Sequence, residues 1–128
     1  MKIRKGFVSN SSSSSFIIAV KDNKKELTKD MLIKALQSSN SNILDKLASR
    51  LLKCVTAGQL DIIHVLGELG EKNIEDCYYE KDVLQNNKAA NFYIGSCEDQ
   101  DSFEEAFLCE LDIDYSDDDI VIKKEGSY

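Results

Sequence analysis

A chain of 128 residues with 42% apolar and 30% charged side chains has the length of one domain, burying roughly two thirds of its unfolded surface without metal or disulfide staples. Such a composition excludes global disorder, and the net charge of −7 excludes a protein that grips phosphate through clustered Lys and Arg. The apolar run FIIAV at 16–20 is too short for a signal sequence or a membrane span.

Taken in chain order, residues 1–14 form a basic and then serine-rich opening that predicts a mobile N-terminal segment, since serines supply little apolar burial to offset ordering entropy. FIIAV then reads as a buried strand. Thr28 is placed to cap a helix through about 37, and Ser41 to cap a second whose apolar residues Leu44, Leu47, Ala48, Leu51 and Leu52 recur at helical spacing. Gly58 is a natural stop, and Leu60, Ile62, Ile63, Val65, Leu66 and Leu69 continue the helical spacing, so residues 42–69 predict a helical hairpin. Residues 73–84 fit a helix or a strand and are read as a helix. NFYIGSC at 91–97 is strand-like. Ser102 with Glu105 is a capping box, and Phe103, Ala106, Phe107 and Leu111 form the apolar stripe of a short helix. Ile120, Val121 and Ile122 close the chain as a last strand.

The serines leave three readings open: slack or structural chain, a ligand contact, or a modification site at Ser11, Ser12, Ser13, Ser14 and Ser15, where phosphorylation would add close to two negative charges per site. The string RKGFVSNSSSSSF, residues 4–16, resembles the opening of a set of small uncharacterised bacterial and bacteriophage proteins. The resemblance covers about a tenth of the chain and implies no activity. What it implies is a phage or mobile-element origin, and a specific role for the serines.

Between Glu98 and Asp119 stand eleven acidic residues and no Lys or Arg. Glu98, Asp99, Asp101, Asp112, Asp114, Asp117, Asp118 and Asp119 are therefore the candidate binding face, suited to a basic protein partner and not to nucleic acid or a membrane. A charge run is also the ordinary makeup of a solvated surface. Counted from Asp114, an EF-hand loop would place Ser116 and Asp118 at the third and fifth positions and Glu125 at the twelfth, but Asp119 stands where the turn requires Gly.

His64, the single histidine, lies in the apolar series and reads as a packed core residue, with a general base as the rival. Tyr78, Tyr79, Phe92 and Tyr93 with Lys81 and Lys88 would make a stacking platform for single strands, but two lysines are too few. Cys54, Cys77, Cys97 and Cys109 have no CxxC spacing and no nearby His, so they read as reduced core thiols of a cytoplasmic protein. No metal site, cofactor motif or catalytic residue is assigned.

The fold expected is a single α+β domain, a sheet of about three strands with a helical layer on one face. The function expected is that of a non-enzymatic acidic binding protein, a phage-encoded inhibitor or regulator of a basic host protein that handles nucleic acid or serves defence. The alternatives are a small hydrolytic or transferase-type enzyme using His64, and a self-assembling virion component.

Overall fold

The computed structural model describes residues 13–37, 43–98 and 103–125. It is α+β, with five α-helices and one antiparallel sheet of five strands. The strands are β1 (Ser13–Val20), β2 (Val55–Leu60), β3 (Asn91–Glu98), β4 (Ile113–Ser116) and β5 (Ile120–Lys124), in the order β2-β3-β1-β5-β4. Two strands exceed the expectation, β2 and β4. Both lie at the edges, where one side alone is paired and the apolar alternation that marks a strand is weakest.

β1 is the middle strand and its apolar run is buried on both faces, with Phe16, Ile17, Ile18, Ala19 and Val20 all fully covered. Registry explains the two sides. Ile18 lies opposite Tyr93 and Ile122, and Ile17 opposite Ile94. Phe16, Ile18 and Val20 face one core with Ile120 and Ile122, and Ile17 and Ala19 face the other with Phe92 and Ile94. A strand with two apolar faces requires cover on each, so the expected single helical layer is corrected to two.

The first layer holds α1 (Lys29–Gln37), α2 (Leu44–Lys53) and α5 (Phe103–Glu110), contributing Leu32, Leu36, Leu47, Leu51 and Leu108 to the core. Thr28 accepts the Met31 N–H at 3.4 Å, as the sequence suggests. The caps assigned to Ser41 and Ser102 lie outside the described residues. The second layer holds α3 (Ile62–Glu68) and α4 (Lys81–Asn86), with Val65, Leu69, Val83 and Leu84 buried. The helical hairpin expected over 42–69 is interrupted by β2, and the helix expected over 73–84 is a 3-10 turn at Ile74–Asp76 followed by α4.

Two local features shape the site. Gly95 in β3 passes so close to the helix-to-strand junction that a Cβ there would overlap the Cys54 carbonyl and reach 2.7 Å from Phe16 Cζ. Only glycine fits this close approach. β2 also runs out of step with β3, with register shifts on either side of Ala57. Among the described residues, no helix is long and apolar enough to cross a membrane.

Candidate functional site

Ser14, Glu105 and Lys124, three of the buried polar side chains, gather at one end of the sheet, where α2 and α5 meet the C-terminal ends of β3 and β5 and the start of β1. A cleft of about 380 Å³ opens there, lined by Arg50, Lys53, Cys54, Thr56, Ser96, Glu98 and Glu105. Glu105 stands in the first turn of α5 and is 4% exposed. Its Oε1 accepts from Arg50 Nε and Nη2, both at 2.8 Å, and its Oε2 accepts the Glu98 N–H at 2.6 Å. These partners offset the cost of taking a carboxylate out of water.

The far end of α5 is secured by two side chains of the sheet. Lys124, 1% exposed, donates from Nζ to the Leu111 carbonyl at 2.6 Å and the Cys109 carbonyl at 3.3 Å. Ser14 Oγ donates to the same Cys109 carbonyl at 3.0 Å. A cation and a hydroxyl thus satisfy carbonyls that a helix C-terminus leaves without partners. Burial pulls the Lys124 ammonium below its ordinary pKa, against the nearby Cys97 and Cys109, which favour the charge.

Between these polar groups lie two thiols. Cys54, at the C-terminal cap of α2, and Cys97, in β3, enter the same core. The influence of each thiol on the other pushes Cys97 down, aided by Lys124 and Arg50 and opposed by burial, and pushes Cys54 up, aided by burial. None of the four cysteines is in a disulfide, and all four are buried.

Apart from Glu98, Ser14, Cys54, Cys97 and Cys109, the described residues singled out by sequence fall elsewhere. The acidic run does not form one face. Glu98 ends β3 beside the cleft, whereas Asp117, Asp118 and Asp119 form the β4–β5 turn at the opposite end of the sheet. Asp117 is occupied by that turn: its Oδ1 accepts from the Asp119 and Ile120 N–H groups at 2.7 and 2.9 Å, and its Oδ2 from the Tyr115 hydroxyl at 2.8 Å. Its partial burial raises the pKa, but these donors outweigh it and leave the carboxyl below the usual range. Asp119 lies 3.9 Å from Lys34. Asp112, Asp114 and Asp118 are exposed along the β4 edge, Asp114 opposite Lys123. Asp99 and Asp101 lie outside the described residues. The segment weighed as an EF-hand is a β-hairpin, not a loop between helices.

Ser11 and Ser12 lie outside the described residues, and Ser13 opens β1. Ser14 and Ser15 are buried in that strand at 1% and 7% exposure, so a modifying enzyme reaches them only if the strand end opens. The segment expected to be mobile through residue 14 thus includes two residues of β1, and its first twelve are not described. His64 is corrected from packed to exposed: it sits in the first turn of α3, its Nδ1 2.6 Å from Asp61 Oδ1. Asp61 caps that helix by accepting the His64 N–H at 2.8 Å, a bond that holds its carboxyl below the usual range. Phe92 and Tyr93 face opposite cores, which separates the rings of the supposed stacking platform.

Sequence reasoning missed Arg50, Glu105 and Lys124. Strand alternation was the available signal for one of them, because Lys124 shares the parity of Ile120 and Ile122 and must point inward with them. No family model, no curated protein and no solved structure matches the chain.

Proposed function

We propose that this chain is a non-enzymatic protein-binding domain that takes a basic, extended segment of its partner along the outer edge of β4. One observation carries the reading. β4 is an edge strand, and Asp114 and Ser116 are exposed at alternate positions along it, with Asp112 exposed just before it and Asp118 in the turn after it. An added strand would bond to the unpaired backbone, and Lys or Arg at every second position would lie beside these carboxylates. The net charge of −7 favours encounter with such a partner. The N-terminal resemblance extends this to a phage-encoded regulator or inhibitor, in the host cytoplasm, of a protein whose basic surface handles nucleic acid.

The test is titration of the isotope-labelled protein, followed by amide NMR, with an extended peptide of alternating Lys and Thr and with its Glu counterpart. Shifts confined to 112–124 for the Lys peptide alone, fading as salt rises to physiological levels, support the reading. The Asp112→Asn/Asp114→Asn/Asp118→Asn variant should lose them. Equal response to both peptides overturns it. So does a variant that binds like the parent yet begins to self-associate, which would make the carboxylates guards against edge pairing.

A further inference from the structure

The thiol pair at the cleft is independent of the β4 edge, which lies across the sheet from β2 and β3, and it carries a separate reading. Cys54 is 8% exposed and lines the cleft, whereas Cys97 is fully buried behind it. Cys54 directly precedes β2 and Cys97 lies in the adjacent β3, where the Ser96 N–H donates to the Cys54 carbonyl at 3.3 Å. Both side chains enter the same core, and the pairing of Val55 with Gly95 sets the two positions side by side. We propose that Cys54 and Cys97 form a reversible disulfide by exchange with a small, carboxylate-bearing disulfide that enters the cleft beside Lys53.

The chemistry follows from which sulfur is reachable and which leaves easily. The Cys54 thiolate attacks one sulfur of the entering disulfide, a mixed disulfide forms, and one small thiolate departs. The Cys97 thiolate then attacks the Cys54 sulfur, the Cys54–Cys97 bond forms, and the second small thiolate departs. The two protons of the protein thiols end on the two released thiols; the protein gives up two electrons and the small disulfide gains them. Closing the bond brings the sulfurs to about 2.05 Å. The irregular register of β2 after Cys54 supplies the backbone adjustment this needs.

The surroundings set the direction. Lys124 from β5 and Arg50 from α2 favour a thiolate at Cys97, against Glu105 from α5. A stabilised thiolate is a good leaving group and lowers the free energy of the reduced form. Reduction, by a thiolate attacking Cys54 from the cleft, is therefore fast. Oxidation is slow because Cys54 is held protonated, and it accelerates as pH rises. Cys77 packs in the other core, and Cys109 lies under the carbonyl cap of α5.

The test incubates the full chain in glutathione buffers of graded ratio, alkylates the remaining thiols and maps the products by peptide mass spectrometry, with circular dichroism as a check on the fold. The expected result is one intramolecular link between Cys54 and Cys97, reversed by reduced glutathione, with Cys77 and Cys109 alkylated. Cys97→Ser should stop at a Cys54–glutathione mixed disulfide, and Cys54→Ser should give neither product. Cys97→Ala serves the same purpose if the serine variant does not fold. The proposal is overturned if no link forms at any ratio while the fold persists. A link that includes Cys77 or Cys109 overturns it equally.

Discussion

Two short helices on opposite faces of the sheet are held by opposite means. α3 carries its own cap: Asp61 accepts the N–H of His64, three positions on. α5 carries none among the described residues and depends on distant chain. Its first turn is tied by Arg50, 55 positions away, and its last carbonyls by Ser14, 95 positions away, and by Lys124. Neither helix has the length to be stable alone, since isolated helices below roughly 12–15 residues are marginal in water. Local capping makes α3 a unit of its neighbourhood. Remote capping makes α5 a reporter of the whole sheet, and it charges the first core with buried ionic groups at the helix–sheet seam. In the second core the buried Glu71 and Glu80 lie in the connection between α3 and α4.

Among the ties that hold α5, the largest break comes from Arg50→Met, which leaves Glu105 buried without its cation and should cost roughly 3 kcal/mol. Urea denaturation measures the loss. Hydrogen exchange should show protection falling across 103–110 while 62–68 keeps its own, and equal loss in both would show that the two helices are not independent. Ser14→Ala should cost about 1 kcal/mol, the worth of one buried hydrogen bond, because Lys124 still serves the Cys109 carbonyl.

Lys124→Met sharpens the contrast through pH. Burial makes the folded chain hold this proton less tightly than the unfolded chain. The penalty is fully present below the folded pKa and is relieved as pH climbs from there towards the ordinary 10.5. Stability of the parent relative to the Met variant should therefore rise over that window. A flat difference would show that the ammonium is not desolvated.

The smallest effects belong to exposed positions. Asp61→Ala should loosen the first turn of α3 and leave α5 untouched. In the parent, its carboxylate contributes above the ordinary 3.8 and the contribution fades as pH falls through the lowered folded value. Phe103→Ser should change stability by no more than about 0.5 kcal/mol, since Phe103 is 75% exposed; Leu108→Ala, one turn on and fully buried, is the contrasting variant at about 2–5 kcal/mol.

That last pair shows where sequence patterning failed. Phe103, Ala106, Phe107 and Leu111 make a convincing apolar stripe, yet the buried side of α5 is Glu105, Leu108 and Cys109. A carboxylate paired with a remote arginine leaves no local trace, so the rings took its place in the reading. The interior strands were legible because FIIAV, NFYIGSC and the run at 120–122 must be apolar to fill two cores. Edge strands need no such pattern: VTAGQL has a glycine and an irregular register, and β4 is four residues among carboxylates. The cleft was illegible for a related reason. Its residues come from positions 50, 53, 54, 56, 96, 98 and 105, and no spacing rule joins the three segments. Proximity in sequence misled in the other direction for the acids, since Glu98 at the end of β3 and Asp117, Asp118 and Asp119 in the hairpin turn stand at opposite ends of the sheet.

The central place of β1 has a consequence for how the chain acquires this shape. Its partners in β3 and β5 lie about 70 to 110 residues further along. Among the described residues, the earliest strand is thus the one that must wait longest for its partners. Closing such wide loops before any pairing is gained slows folding. The order of assembly most compatible with the register is a preformed β4–β5 hairpin and a β2–β3 pair, with β1 sealing the gap between them as the final stitch.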